Sequence, residues 1–411
     1  MRSKEKPRIA IIGSGPIGLE AALYARQLDY PTTVYESGKV CDYIRRWGHV
    51  RLFSPFGMNI TPLGKSLLLA ENARHDFPDE EDCITGREHY SCYLEPLVNS
   101  EHLSDIIQTD TRVVQIGRAG LLKGDAIGSP KRAESPFRLF LIDANKKEQM
   151  VEADVVLDCS GTYGQARYIG DGGIPALGEM ALRKSISYRL EDLLGEKKEK
   201  YAGKTVIVIG GGYSAATTVT NLAGLADKHP DTWVIWLARK ENSQPIHRFP
   251  KDPLKERDSL AVKANRLATR NDANVEFHPD TVIERIESVD SGLTVTAHSS
   301  GETRSWSADA MIANVGYYPN TDMYRELQVH ECYASQGPMK LAAGLLQQES
   351  ADCLAQTGAG RDTLINPEPN FYILGTKSYG RNSHFLLRIG FEQVRDVFQL
   401  ITGNQRLDLY H

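Results

Sequence analysis

Two glycine loops carry the first chemistry legible in this 411-residue sequence. Gly13-Ser14-Gly15-Pro16-Ile17-Gly18 and Gly210-Gly211-Gly212-Tyr213-Ser214-Ala215 share one spacing, with glycine first and third and a small residue sixth. That spacing suits a dinucleotide. The first glycine permits a tight turn, the second lets the main chain approach a diphosphate, and the last small residue lets the next helix pack on its strand. The helix N-terminus then presents free N–H groups and the positive end of its dipole to phosphate oxygens. The two loops differ in the residues that close the next strand. Glu36, with Ser37 behind it, ends the strand after the first loop, where a carboxylate can accept hydrogen bonds from an unphosphorylated ribose diol. Arg239-Lys240 stand in the corresponding place after the second loop. Two cations there can pair with a 2′-phosphate, which favours NADPH over NADH. The plainer alternative for them is a solvated charge pair.

The elements around the loops fit that chemistry. Residues 8–12 form a short apolar run, as in a parallel strand buried on both faces. A helix is predicted over 19–28 and a second strand over 32–36, completing a βαβ unit. The pattern returns about two hundred residues later, with a strand at 205–209, a helix at 216–225 and a strand at 233–237. This repeat predicts two nucleotide domains rather than a solenoid. Further buried strands are expected at 154–159, closing on Ser160-Gly161-Thr162, and at 309–316. The tail reads as a strand at 371–374 and a helix from Gly390 with Phe391, Val394, Val397, Phe398 and Ile401 on one face. Stretches near 117–135 and 193–204 read as surface turns or linkers. Segments 41–100 and 325–366 give no clear pattern. The fold class is therefore α/β with two Rossmann-like dinucleotide-binding domains: a discontinuous one from 1–170 and 330–411, and an inserted one from 171–329.

Composition narrows the class. The net charge of −5 offers no field for nucleic acid or anionic lipid. No run approaches the ~18 apolar residues that a membrane span needs. The opening residues hold no apolar stretch for a signal peptide, so a cytoplasmic protein is expected. The six cysteines, at 41, 83, 92, 159, 332 and 353, form no CxxC or CxxxxC pair.

The two loops, Cys159-Ser160-Gly161-Thr162, residues 47–59 and Leu374-Gly375 together resemble the flavoprotein superfamily with two dinucleotide-binding domains. Within it the chain is most similar to flavin-containing (class B) monooxygenases and related FAD/NAD(P)-dependent oxidoreductases. The resemblance implies that the first loop holds FAD and that the C-terminal segment returns beside the flavin ring. Carried over, Ser160 and Gly161 approach the flavin nucleotide, Val113 with its neighbours offers backbone contacts to the adenine, and Trp47 begins a run along the flavin. Tyr379, Gly380 and Arg381, with Asn382, would then sit near the ring, and Gly375 would belong to the cofactor site. The sequence departs from the resemblance at two places. The fingerprint FxGxxxHxxx(Y/F) is absent before the second loop, with Tyr188 where a histidine would be sought, and Gly375-Thr376 replaces the usual Gly-Asp. Many relatives with this domain plan work through a redox disulfide, for which the cysteine spacing gives poor support.

The implied chemistry is reduction of FAD by NADPH. Oxygen would then add to form a C4a-(hydro)peroxyflavin, with transfer of one oxygen atom to a small nitrogen or sulfur nucleophile or a ketone. O2 and a small-molecule substrate are then the partners. Asn59 and Arg381 are the candidate catalytic groups, as a neutral amide and a cation able to stabilise negative charge developing at the ring. His49 and His384 could act as acid–base groups, and Cys332 and Cys353 as reactive thiols, though each residue type has an ordinary structural use. Two further readings stay open: an NADPH-dependent reductase or oxidase without oxygen insertion, and a nucleotide-binding redox sensor.

Overall fold

A computed structural model describes residues 5–270, 274–290, 292–347 and 360–411. Along the chain the strands are β1 (Ile9–Ile12), β2 (Thr32–Tyr35), β3 (Ile107–Gln108), β4 (Thr111–Arg118), β5 (Phe137–Asp143), β6 (Glu148–Ala153) and β7 (Val155–Asp158). They continue as β8 (Thr205–Ile209), β9 (Trp233–Leu237), β10 (Val275–His278), β11 (Thr281–Val289), β12 (Gly292–Ser299), β13 (Glu302–Ala308), β14 (Ala310–Ala313) and β15 (Phe371–Ile373). The chain divides into two compact units, one from 1–48, 54–165 and 317–411, the other from 49–53 and 166–316. The fold is α/β, and each unit has the Rossmann-like plan.

In the first unit β15, β7, β1, β2 and β3 form a parallel sheet in that order. Ile9 and Ile11 point into one core, with helix Pro16–Gln27 and helix Leu387–Thr402. Ala10 and Ile12 point into another, against the antiparallel β4–β5–β6 sheet. Both faces are covered, which is why the strand reads as unbroken apolar sequence. The second unit repeats the logic. Its parallel sheet runs β10–β9–β8–β14, with Val206 and Val208 in one core and Ile207 and Ile209 in the other, beside the antiparallel β11–β12–β13 sheet.

The structure corrects three expectations. The final helix starts at Leu387 rather than Gly390 and extends to Thr402. The 117–135 stretch is not simply a surface turn: Arg118 and Arg132 are buried there, and both meet the buried Glu368 carboxylate. Within 193–204, Leu193 and Tyr201 are fully buried in the core of the second unit. In the last two cases tertiary packing covers residues whose local composition suggested exposure. Among the described residues, no helix is long and apolar enough to cross a membrane.

Helix Pro16–Gln27 buries one acid. Glu20 lies inside the core of the first unit, where its Oε2 accepts the Thr61 hydroxyl at 3.0 Å. Burial pushes its carboxyl up to about 7, and the Tyr410 and Thr61 hydroxyls offset only part of that cost. Nearby His89, whose Nε2 lies 3.0 Å from the Asn59 carbonyl, is pushed down to about 4 by burial. Because the folded Glu20 carboxyl holds its proton far longer than an unfolded one, its stabilising contribution is complete below about pH 4.5 and is lost as pH rises through about 7. His89 acts in the opposite sense, losing its contribution as pH falls from about 6.5 towards 4. Glu20→Gln should therefore match the wild type at about pH 4 and exceed its stability at pH 8 by on the order of 3 kcal/mol. Urea unfolding at both values checks this, and equal gains at both would contradict it.

Candidate functional site

The first glycine loop leaves the carboxyl end of β1, where open parallel sheets place their ligands. Its three glycines meet different surroundings. Gly13 takes a φ of +93°, and a Cβ there would lie 2.8 Å from the Cys159 carbonyl oxygen. At Gly18 a Cβ would stand 1.9 Å from the Gly13 carbonyl oxygen. Gly15, the N-cap of the helix, faces open space with no heavy atom within 4 Å of an added Cβ. Pro16 occupies the first turn, no side chain caps the helix, and no acid lies in that turn. The N-terminus is thus an uncapped, positively polarised cradle of the kind a diphosphate fits. Ile17 turns inward and packs where Cβ atoms on Gly375 and Gly390 would fall.

Glu36 lies just past β2. Its Oε2 accepts the Ser14 N–H and hydroxyl, both at 2.9 Å, and its Oε1 accepts the Gly38 N–H at 3.0 Å and the exposed Ser37 hydroxyl at 3.3 Å. A ribose diol would take over the hydroxyl positions while the backbone donors stay. Val113 is buried with its side chain in the core, so only its main chain could serve a ligand. The register of β4 against β5 shifts between Val113 and Gln115, a bulge that interrupts the ladder there.

One buried cluster ties this site together, and the residue patterns did not reveal it. Asp158 ends β7 with its side chain wholly buried. Its Oδ1 accepts the Ser160 N–H at 3.1 Å and the Ser160 hydroxyl at 2.6 Å. Its Oδ2 accepts the Lys377 ammonium at 2.6 Å, and that ammonium also reaches Ser160 Oγ at 3.0 Å. Gly161 comes next, with a φ of +66° and open space above it. The signal was available: an acid closing an apolar strand needs a partner, because an unpaired buried charge is prohibitive.

Of the other predicted residues, Trp47 is half-buried; its indole Nε1 is buried and has no hydrogen-bond partner among the described residues. Tyr379 is buried and meets Phe385 edge-on, with ring centroids 5.4 Å apart. Asn59 is buried, and its amide closes its own loop: Nδ2 donates to the Ser54 and Pro55 carbonyls while Oδ1 accepts the Ser54 hydroxyl. Arg381 is exposed, with Nε on Gln336 Oε1 at 2.8 Å and its guanidinium 4.5 Å from the Tyr318 ring centre. His384 is exposed. Tyr188 donates to the buried Glu179 carboxylate at 2.6 Å.

Cys41, Cys92, Cys159 and Cys332 are free thiols. Cys41 and Cys159 are buried, and burial pushes both thiols up. Hydrogen bonds from Ser335 pull the Cys332 thiol down. Cys353 lies outside the described residues.

The second loop has the same mechanics in its own unit. Gly210 takes a φ of +141°, and a Cβ there would lie 2.5 Å from the Asn314 carbonyl oxygen. Gly212 caps helix Tyr213–Ala226 with nothing within 4 Å of an added Cβ, no side-chain cap and no acid in the first turn. Ala215 is fully buried and Ser214 exposed, while the Tyr213 hydroxyl donates to the His247 carbonyl at 3.0 Å. Arg239 and Lys240 come after β9, and both are exposed. A separate cavity of about 320 Å³, lined by Pro7, Ser135 and Asn370, lies at the amino ends of β1, β7 and β15, away from the first loop.

Comparison with known proteins bears on the fold. Residues 10–122 match the family described as pyridine nucleotide-disulphide oxidoreductase. Dihydrolipoyl dehydrogenase of Bacillus subtilis (strain 168) is 27% identical over 320 residues, covering 76% of this chain and 57% of that protein. The chain thus spans just over half the length of the curated relatives it matches. Bacillithiol disulfide reductase from Bacillus cereus superposes with a TM-score of 0.68 at 17% identity, covering 97% of this chain and all of the other. Ornithine N-hydroxylase from Kutzneria sp. 744 gives a TM-score of 0.64 at 15% identity, covering 97% and 100%. These likenesses show a fold shared with FAD/NAD(P)-dependent oxidoreductases.

The glycines should separate cleanly on substitution. Gly15→Ala, in open space, is expected to leave the thermal midpoint within about 2 °C, apart from small propensity effects. Gly18→Ala, jammed against main chain, should lower stability by about 1–3 kcal/mol or more. Thermal melts of the two variants decide this; equal midpoints would contradict the crowding.

Proposed function

We propose that the protein is an FAD-dependent oxidoreductase reduced by NADPH, acting as a monooxygenase on a small nitrogen or sulfur nucleophile or a carbonyl compound. One observation carries the reading. Two uncapped glycine-loop helices stand at the ends of parallel strands, one beside the Glu36 carboxylate and the other beside exposed Arg239 and Lys240. A carboxylate suits a plain ribose and repels a phosphorylated one; two cations do the reverse.

The first unit would hold FAD and the second NADPH. Gly13, Ser14, Gly15 and Ile17 would line the diphosphate, Glu36 the ribose, and Ser160 with Gly161 the flavin side. Bound FAD would supply the acceptance of a hydride from NADPH and the donation of electrons to oxygen. In balance, NADPH and one proton deliver two electrons, one oxygen atom of O2 enters the substrate, and the other leaves as water. The protein's own part is to orient the two nucleotides and exclude water. The orphaned Trp47 Nε1 is a donor suited to a flavin acceptor.

A dithiol relay is not favoured. The described cysteines nearest the first loop, Cys41 and Cys159, are buried thiols with raised pKa and no disulfide. A second reading, an NADPH oxidase or reductase without oxygen insertion, draws support from Tyr188, which is engaged with Glu179 where the monooxygenase fingerprint would place a histidine.

The test has two stages. The purified full chain should take up FAD, and Arg239→Ala should lose about tenfold in its preference for NADPH over NADH, as expected for one phosphate contact. An unchanged preference contradicts the NADPH site, and failure to take up FAD contradicts the whole reading. NADPH consumption is then followed with a panel of amines, thioethers and ketones. Oxygenated product matching NADPH used supports the monooxygenase; stoichiometric peroxide without product supports the second reading.

A further inference from the structure

We infer that Lys377 is a positioning residue for the FAD site, locking the Ser160–Gly161 turn through Asp158. The inference deepens the proposed function and rests on it. Lys377 has no exposed side-chain surface, and neither has Asp158. A buried ion pair is a poor way to gain stability, since desolvation cancels much of the attraction and an apolar pair often serves as well. What the pair does supply is geometry.

The geometry is specific. Lys377 lies in the turn Gly375–Tyr379 just after β15, and Asp158 ends β7, the adjacent parallel strand. The pair joins the two turns at the carboxyl ends of neighbouring strands, beside the first glycine loop. Each turn is held from a second side. Gly375 N–H donates to Gln393 Oε1 at 2.8 Å, Gln393 Nε2 donates to Ser378 Oγ at 2.9 Å, and Ser378 Oγ donates to the Gly375 carbonyl at 2.7 Å. On the other side, the main chain at Cys159 and Ser160 sits so close to Gly13 that no side chain fits between them. Ser160 joins these restraints. Its N–H and hydroxyl face Asp158, its Oγ accepts from Lys377, and its backbone sets the position of the open Gly161. The ammonium also stands 5.2 Å from the Tyr324 ring centre, and the Glu331 carboxylate is close enough to feel its charge. Lys377 thus acts on a ligand through Ser160 rather than by touching it.

The experiment titrates FAD into flavin-free full-length protein, following fluorescence quenching and the visible circular dichroism of the bound flavin, with thermal melts of the flavin-free chain alongside. S160A should stay folded, with a thermal midpoint lowered by a few °C because the Ser160 N–H and Lys377 still serve Asp158, yet bind FAD about tenfold or more weakly, the size of effect that orienting groups have on bound metals. K377M should weaken FAD binding at least as much and alter the dichroism. Because Lys377 works through Ser160, the double variant should bind no more weakly than K377M alone. Additive losses, or FAD affinity within about twofold of wild type in S160A, would overturn the inference. If K377M does not fold, S160A decides by itself. If the wild type takes up no FAD, the proposed function falls and this inference with it. Normal wild-type uptake with indifferent variants overturns this inference alone.

Discussion

A carboxylate removed from water must find its donors within the protein, and Asp158 finds them on two segments far apart in sequence. Ser160 supplies an N–H and a hydroxyl, and Lys377 supplies an ammonium. Much else in the first unit depends on where that carboxylate sits. It fixes the turn after β7, against which Gly13 packs with no room for a side chain. Gly13 in turn supports Gly18, whose missing Cβ lets the helix close on its strand. Main chain touching main chain leaves little freedom to drift, so the open position at Gly15 is held by a crowded frame.

The second unit reaches a similar loop with different supports. There the glycine carbonyl is held by an indole, Trp236 Nε1 donating to the Gly210 oxygen at 2.7 Å, and the helix is tied across by Thr218 to Asn314 at 2.7 Å. The first unit uses a buried charge at this level; the second uses neutral donors. The charges that follow β9 beside the second loop, Arg239 and Lys240, are exposed instead. Solvated cations cost little to maintain, while a buried pair needs full satisfaction.

Much of this was legible in the residues. Unbroken apolar runs at β1 and β8 reflect sheets covered on both faces, and the glycine spacing marked both loops. The helix N-termini are uncapped because Gly15 and Gly212 stand where a capping serine or aspartate would otherwise be preferred. What stayed hidden depends on partners distant in sequence. Nothing local to Arg132 shows that Glu368 will bury it, and Lys377 reads as a surface lysine until β15 is paired with β7. Asn59 shows the converse. Its residue type suggested chemistry, but its amide is consumed by Ser54 and Pro55, a loop-closing use that composition cannot distinguish from a ligand contact.

The division of the first unit into separated stretches of chain also bears on synthesis. β1, β2 and β7 leave the ribosome early, whereas β15 and helix Leu387–Thr402 emerge only after the whole second unit has been made. The second unit is nearly continuous and can close on itself while the first still waits with one edge of its sheet bare. During that interval Asp158 has no lysine and can remain hydrated. Asp158 can therefore gain its lysine partner only once residue 377 has been made.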